Sequence, residues 1–175
     1  MEELLMDETE ELEEDTQRDR FLTFRVDEET YGLEIRIVTE IIGIQKITPV
    51  PETPGFIRGV INLRGKVLPV MDVRLRFRKQ PMEYNDRTCI IVVEMMDLSV
   101  GLIVDRVSEV LAIPEEEIAP PPEYYVTRNR YIRGIAKAGG GIKMLLDCDK
   151  LLNEEEFSNI SEAAETAKQS VKAGV

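Results

Sequence analysis

The sequence predicts an all-β protein made of two copies of one small barrel, followed by a C-terminal α-helix. Three features support this: an internal repeat, apolar residues that alternate with polar ones, and glycine-containing turns between the alternating runs. The repeat aligns residues 31–44 with 100–113 at five of fourteen identical positions. It also aligns residues 56–77 with 131–152 at five of twenty-two. We therefore expect two barrels in tandem.

The alternation is clearest at the start of the first copy. Leu22, Phe24 and Val26 are separated by polar residues, which is the period of a strand with one buried face. Turns are expected at Arg64-Gly65 and, in the second copy, at 139–141. Short strands joined in this way favour closed barrels, because closure removes exposed sheet edges.

The repeat and the charge pattern divide the chain into four parts. These are an acidic disordered tail at 1–19, a first barrel at 20–82, a second barrel at 83–152, and a helix at 153–168 packed on the barrels. The tail holds ten acidic residues and one arginine, a net charge of −9, which leaves −3 for the rest of the chain. Such a segment is expected to repel itself and stay disordered, although a docking peptide is the alternative.

Two further segments carry specific expectations. Asn153 and Glu156 have the spacing of a capping box, which predicts where the C-terminal helix begins. Residues 89–95 are apolar on both faces of the predicted strand. That strand should be covered twice, either by the rest of this protein or by a bound partner.

The composition argues against enzymatic chemistry. The chain contains no histidine, so it lacks the commonest general base and metal ligand, and we expect no catalytic, cofactor or metal site. Asp72 and Asp147 occupy equivalent positions in the two copies, each at the end of a strand. They are expected to cap turns, and a catalytic pair is the less favoured alternative.

Nucleic-acid binding and membrane insertion are also disfavoured. The part after the tail is slightly acidic and aromatic residues make up 6% of the chain, whereas nucleic-acid binding needs basic, aromatic surfaces. No run approaches the ~20 apolar residues of a membrane helix, and the N-terminus is acidic where a signal peptide would be basic. We therefore expect a cytoplasmic protein.

Three sequence stretches resemble the chemotaxis coupling protein family, CheW. They are FIRGVINLRGKVLPVMDVRLRF at 56–77, YNDRT at 84–88 and VGLIVDRVSEVL at 100–111. The resemblance extends over roughly residues 20–165. It implies two five-stranded SH3-like barrels and a monomeric, non-enzymatic adaptor without a cofactor. Such adaptors join the cytoplasmic hairpin tip of a chemoreceptor, a methyl-accepting chemotaxis protein, to the regulatory domain of the histidine kinase CheA in membrane-attached receptor arrays.

The same resemblance implies two sets of contact residues. The kinase-binding set is Val38, Glu40, Ile41 and Gly59. The receptor-binding set, in a groove between the barrels, is Asn62, Arg64, Gly101, Val107 and Val110. Val38, Ile41, Val107 and Val110 could equally be core residues, and the two glycines could serve backbone geometry alone. Arg64 is the strongest candidate, because burial does not explain a charge at the tip of a turn.

Two other functions fit a double barrel. The regulatory domain of a kinase system shares this fold, but the chain has neither a histidine to phosphorylate nor nucleotide-binding glycine motifs. A nucleic-acid-binding double barrel is the second alternative, weakened by the acidic composition described above.

Overall fold

The computed structural model describes residues 17–124 and 130–172, so nearly all of the predicted acidic tail lies outside the described residues. Its strands are β1 Arg20–Val26, β2 Glu29–Glu34, β3 Val38–Gly43, β4 Ile57–Leu63, β5 Lys66–Asp72, β6 Cys89–Met95, β7 Leu98–Val104, β8 Arg106–Ala112, β9 Ile118–Ala119, β10 Ile132–Ala138 and β11 Gly141–Leu146. The helices are the short α1, Val73–Arg76, and the C-terminal α2, Glu154–Lys172.

The strands form two sheets. A five-stranded sheet has the order β3-β6-β7-β5-β4, and a six-stranded sheet has the order β8-β1-β2-β11-β10-β9. Most neighbours are antiparallel, but β5 pairs with β7 and β11 pairs with β2 in parallel. The predicted fold class, mostly β with a C-terminal helix, is confirmed.

Each sheet combines strands from both of the predicted barrels, 20–82 and 83–152. The hairpin β1-β2 of the first copy pairs with β8 and β11 of the second copy. The equivalent hairpin β6-β7 of the second copy pairs with β3 and β5 of the first. Because the two copies share one strand pattern, either hairpin matches the remaining strands of either copy, and local sequence does not decide which pairing forms.

The largest apolar cluster lies where the two sheets pack together. It joins residues such as Leu22 and Phe24 of β1 to Ile91 and Val93 of β6. The intervening residues of β6, including Val92, belong to a second cluster on the other face of the five-stranded sheet. Strand β6 is thus covered on both faces by this protein itself, as the double-apolar pattern of 89–95 predicted.

The caps predicted from sequence are present. The Glu156 amide donates to Asn153 Oδ1 at 2.7 Å, and the Asn153 amide donates to Glu156 Oε1 at 3.1 Å. Helix α2 begins at Glu154 as expected but continues to Lys172, beyond the predicted end at residue 168. Over residues 154–168 of this helix, the buried residues are Ile160 and Ala164. Asp72 and Asp147 also act as caps, since their side chains accept hydrogen bonds from the amides of Leu75 and Asp149.

A buried arginine connects the two sheets. Arg74 of α1 is 6% exposed and ion-paired with Asp27, in the β1–β2 turn, and with Asp105, between β7 and β8. Burial alone would lower the pKa of the guanidinium, but the hydrogen bonds that it donates to the carboxylates of Asp105 and Asp27 outweigh burial and raise that pKa. This cluster stabilises the packing of the sheets only while both acids are present, because an unpaired buried charge is costly.

Candidate protein-interaction site

The hairpin between β4 and β5 presents Arg64 at its tip. Arg64 and Gly65 have φ angles of 52° and 84°, as the two central residues of a type I′ turn require. Asn62 stabilises the turn, because its Oδ1 accepts a hydrogen bond from the Gly65 amide at 2.9 Å. Asn62 therefore has a structural role in the turn, while its side chain remains exposed.

Arg64 contacts a residue of the predicted kinase-binding set. Its Nη2 donates to Oε1 of Glu40 on β3, forming an ion pair. The Arg64 side chain is 70% exposed and that of Glu40 is 28% exposed. The pair is therefore open to solvent, where such an interaction contributes at most about 1 kcal/mol to stability. The structure thus brings together one residue from each predicted set.

The other two kinase-binding candidates on strand β3, Val38 and Ile41, differ in their exposure to solvent. Strand β3 is an edge strand, paired only with β6 among its neighbours in the sheet. Val38 packs against the cluster between the sheets, whereas Ile41 is 44% exposed. Val38 is thus part of the packed interior, and Ile41 offers an apolar side chain to a partner.

Gly59 is buried for a local backbone reason. Its φ is 142°, and a Cβ at this position would lie 2.1 Å from the carbonyl oxygen of Thr48. The Thr48 and Val60 backbones exchange two hydrogen bonds of 2.9 Å across this close approach. Only glycine fits here, and the position offers no side chain and little surface to a partner.

Gly101 is buried because two strands meet closely over it. A Cβ on Gly101 would lie 2.7 Å from Cγ2 of Ile90 and 2.9 Å from Cγ1 of Val70. It occupies the middle of β7, between β6 and β5. Gly101 therefore acts on any partner surface only through the packing of the five-stranded sheet.

Val107 and Val110 lie apart from the Arg64 hairpin in the topology. Both belong to β8, at one edge of the six-stranded sheet, where they pair with Phe24 and Leu22 of β1. Val107 packs against the cluster between the sheets, and Val110 is 49% exposed. Of the four apolar candidates, Ile41 and Val110 are therefore surface residues, and Val38 and Val107 are largely core residues.

Sequence reasoning missed four exposed large hydrophobic residues among those that the structure describes: Met82, Met96, Tyr124 and Ile142. Ile142, on β11 just after the Gly139-Gly140 turn, is 63% exposed. Its equivalent in the first copy, Val67, follows the Arg64 turn and is half-buried. The repeat alignment could have drawn attention to position 142, but alternation alone does not show which face of this hairpin is covered.

A match to a protein-family model shows to which family this chain belongs. The model of the CheW-like domain matches residues 20–156, which span both sheets and the start of α2. The chain belongs to the CheW-like domain family. The match contains all nine predicted contact residues.

Individual CheW-like relatives agree with this assignment. The chemotaxis protein CheW of Klebsiella aerogenes is 39% identical over 147 residues, which cover 83% of this chain and 89% of the relative. The chemotaxis protein CheW of Treponema pallidum is 29% identical and is covered over 86% of its length, against 81% of this chain. Protein FrzA of Myxococcus xanthus is 33% identical over 75% of this chain and 84% of its own.

A solved CheW structure has the same fold. The crystal structure of the scaffolding protein TtCheW from Thermoanaerobacter tengcongensis is similar with a TM-score of 0.72 and 38% sequence identity. The similarity covers 79% of this chain and 94% of that one. This chain thus shares its overall fold with a solved CheW protein over most of its length.

Proposed function

We propose that this protein is a non-enzymatic adaptor that couples the cytoplasmic tips of chemoreceptors to the histidine kinase CheA. The observation that carries the proposal is the family match over residues 20–156. Relatives of this family are named chemotaxis proteins, and the solved relative is named a scaffolding protein. In this role the protein works in the cytoplasm and is recruited to membrane-attached receptor arrays, without a cofactor.

The physical character of the chain is compatible with an adaptor. Within the described residues, no group of three or more potential ligands is arranged to hold a metal ion. No helix in the same part of the chain has both the length and the apolar character needed to cross a membrane. Its exposed features are instead an ion-paired hairpin and separate apolar side chains, which suit contacts between proteins.

The kinase-binding surface in this proposal is the outer side of β3. Ile41 supplies the exposed apolar contact, and Glu40 lies one residue away with its carboxylate directed to Arg64. An edge strand also has free backbone groups on its unpaired side, which a partner strand can use. Val38 and Gly59 contribute by holding β3 and β4 in place.

The receptor-binding surface in this proposal has two separate parts. One is Arg64 in the five-stranded sheet, with Asn62 holding its turn, and the other is Val110 on β8 in the six-stranded sheet. A guanidinium offers a planar set of donors to carboxylates and carbonyl groups of a receptor helix. Val107 and Gly101 support this surface from the packed interior. The adaptor is a monomer when free, and it needs neither nucleic acid nor membrane insertion.

Co-sedimentation tests this role. The full chain is mixed with membranes that contain chemoreceptors, with and without CheA, and the pelleted fraction is measured. We expect the chain to sediment with receptor membranes and to increase the amount of CheA in the pellet. Membranes without receptors are the control. A chain that stays in the supernatant under all these conditions contradicts the proposal.

A further inference from the structure

Three cationic residues lie in one row across the six-stranded sheet. Arg106 of β8 is directly opposite Arg25 of β1, and Arg25 is directly opposite Thr30 of β2. Thr30 in turn is paired with Lys143 of β11. Like charges in directly opposed positions destabilise a sheet, so this row needs a compensating feature.

The row lies on the sheet face opposite to the cluster between the sheets. On β1, Leu22, Phe24 and Val26 belong to that cluster, so Arg25 is on the other face with Phe21. Lys143 is two residues from Leu145, which packs with Phe21 in a separate small cluster. The three cations therefore lie on the same face of the six-stranded sheet as the apolar side chains of Phe21 and Leu145.

Arg25 and Arg106 of this row are partly buried and Lys143 is largely buried, and none of the three is ion-paired in the described part of the chain. The Lys143 side chain belongs to a residue that is only 9% exposed, and Nε of Arg25 is a buried donor without a hydrogen-bond partner in the described part of the chain. Among residues 17–124 and 130–172, none of the ion pairs includes Arg25, Arg106 or Lys143. Buried unpaired cations are costly unless an anion accompanies them.

The equivalent positions of the other repeat are occupied differently, and one of them, Ile37, lies in the turn before β3 and packs against the cluster between the sheets. The repeat places Ile37, Glu94, Ser99 and Leu68 where the second sheet has Arg106, Arg25, Thr30 and Lys143. There, Ser99 Oγ donates to the Glu94 carboxylate at 3.0 Å, and Leu68 is 2% exposed in the apolar cluster. Lys66 Nζ also donates to Ser99 Oγ at 3.2 Å, so the one cation there takes part in a hydrogen-bonded chain that ends at an acid. The fold therefore does not require three cations without an acidic partner.

We propose that Arg25, Arg106 and Lys143 form a binding site for an oxyanion, a carboxylate or a phosphate. A guanidinium and an ammonium are the donors that bind these groups through short, charge-assisted hydrogen bonds. Glu109 also lies near the hairpin that carries Lys143, since its Oε1 would be 3.3 Å from a Cβ on Gly139. One acid leaves the three cations with a net positive charge. This site is separate from β3 and from the Arg64 hairpin, although Arg106 shares strand β8 with Val110, and it does not depend on the adaptor role.

Titration with two probes tests the site in the full chain. Inorganic phosphate and a short poly-glutamate peptide are added at constant ionic strength, and the Arg25 Nε–H signal is followed by nuclear magnetic resonance. Constant ionic strength keeps general screening unchanged. We expect a saturable shift of this signal with at least one probe. Tighter binding of the peptide assigns the site to an acidic segment of a protein, and tighter binding of phosphate assigns it to a free oxyanion.

Variants taken from the repeat make the test specific. Lys143→Leu and Arg106→Ile install the residues of the first copy, which the same fold accommodates. Each should weaken probe binding by about tenfold or more, because a charge-assisted contact is lost. Lys137→Asn, which removes an exposed cation from the same hairpin in favour of its first-copy equivalent, should change affinity less than about twofold. A response that does not saturate, or that is the same in all three variants, overturns the proposal.

Discussion

The guanidinium of Arg64 at the tip of the β4–β5 hairpin is ion-paired with the carboxylate of Glu40 on β3. The pair connects the hairpin to an edge strand of the same sheet, and it is exposed to solvent. Its two members belong to the surfaces proposed here for two different partners. A change at either residue is thus able to affect both surfaces without affecting the fold.

Reversal of the charge at Arg64 should impair binding and spare stability. We expect Arg64→Glu to change the free energy of unfolding by less than about 1 kcal/mol, because the pair is exposed. Receptor binding should weaken by about 2 to 5 kcal/mol if the guanidinium becomes desolvated in the complex. Receptor co-sedimentation and a circular-dichroism melt measure the two quantities.

The double variant Arg64→Glu with Glu40→Arg restores an ion pair with reversed polarity. If Arg64 contacts the receptor directly, the double variant remains defective in receptor binding. Arg36→Glu is a matched control, since the Arg36 side chain is 71% exposed and forms an ion pair with Glu34 at the end of β2 in the six-stranded sheet. Normal receptor binding by Arg64→Glu with a normal melt would remove Arg64 from the site.

Substitutions at Ile41 and Val38 should show that one side chain of β3 binds a partner and the other stabilises the core. Ile41→Ser should weaken binding to the CheA regulatory domain, with a stability change within about 0.5 kcal/mol, because this side chain is 44% exposed. Val38→Ala should cost about 1 to 2 kcal/mol of stability, because Val38 packs against the cluster between the sheets. Calorimetric titration with the kinase domain and thermal melts measure these effects. Equal destabilisation by both variants would contradict the assignment.

Gly101→Ala should destabilise the five-stranded sheet. The new methyl group would meet Ile90 and Val70 at less than van der Waals distance, and such overpacking typically costs about 1 to 3 kcal/mol. Denaturant unfolding measures the loss. Gly55→Ala is the control, since a Cβ there meets no atom within 4 Å. A Gly101→Ala protein of normal stability that no longer binds receptor would instead make this glycine a direct contact.

The buried thiol of Cys148 predicts a loss of stability at alkaline pH. Burial is the main cause that raises the pKa of this thiol, and the nearby negative charges of Asp147 and Asp149 raise it further. In the unfolded chain the thiol ionises near its ordinary pKa of about 8.5, while in the folded protein it stays protonated. The contribution of the protonated thiol to the free energy of unfolding is therefore complete below a pH of about 8.5. It declines as the pH rises further, by at most about 1.4 kcal/mol per pH unit.

Cys148→Val isolates this contribution, because valine is the equivalent residue, Val73, in the first copy and is fully buried there. Under reducing conditions, we expect the variant to lose less stability between neutral and alkaline pH than the parent. Cys89→Val, at a half-buried position, is the control. Identical pH profiles for the parent and Cys148→Val would show that the thiol does not contribute.

Local features of the fold were predictable from the sequence, and the pairing between distant segments was not. The alternation along β1 and the cap formed by Asn153 and Glu156 depend on residues close together in the chain. The exchange of the β1-β2 and β6-β7 hairpins depends on which copy supplies the neighbouring strand. Two copies with the same apolar pattern offer equivalent partners, so periodicity does not distinguish the two arrangements.

The candidate site shows the same limit. Arg64 was predictable as an exposed turn residue, because a charge at a hairpin tip has a local explanation. The roles of Val38 and Ile41 depend on which face of β3 is covered, and the role of Gly101 depends on the approach of Ile90 and Val70. The row of Arg25, Arg106 and Lys143 depends on strand register across four strands, which no single segment reveals.

Kinase activation tests the central claim most directly. Autophosphorylation of CheA is measured with receptor membranes, with and without the full chain, beside the Arg64→Glu and Arg36→Glu variants. The adaptor account predicts that the parent chain and Arg36→Glu raise kinase activity only when receptors are present, and that Arg64→Glu does so much less. Kinase activity that is the same with and without the chain, in the presence of receptor membranes, would contradict it.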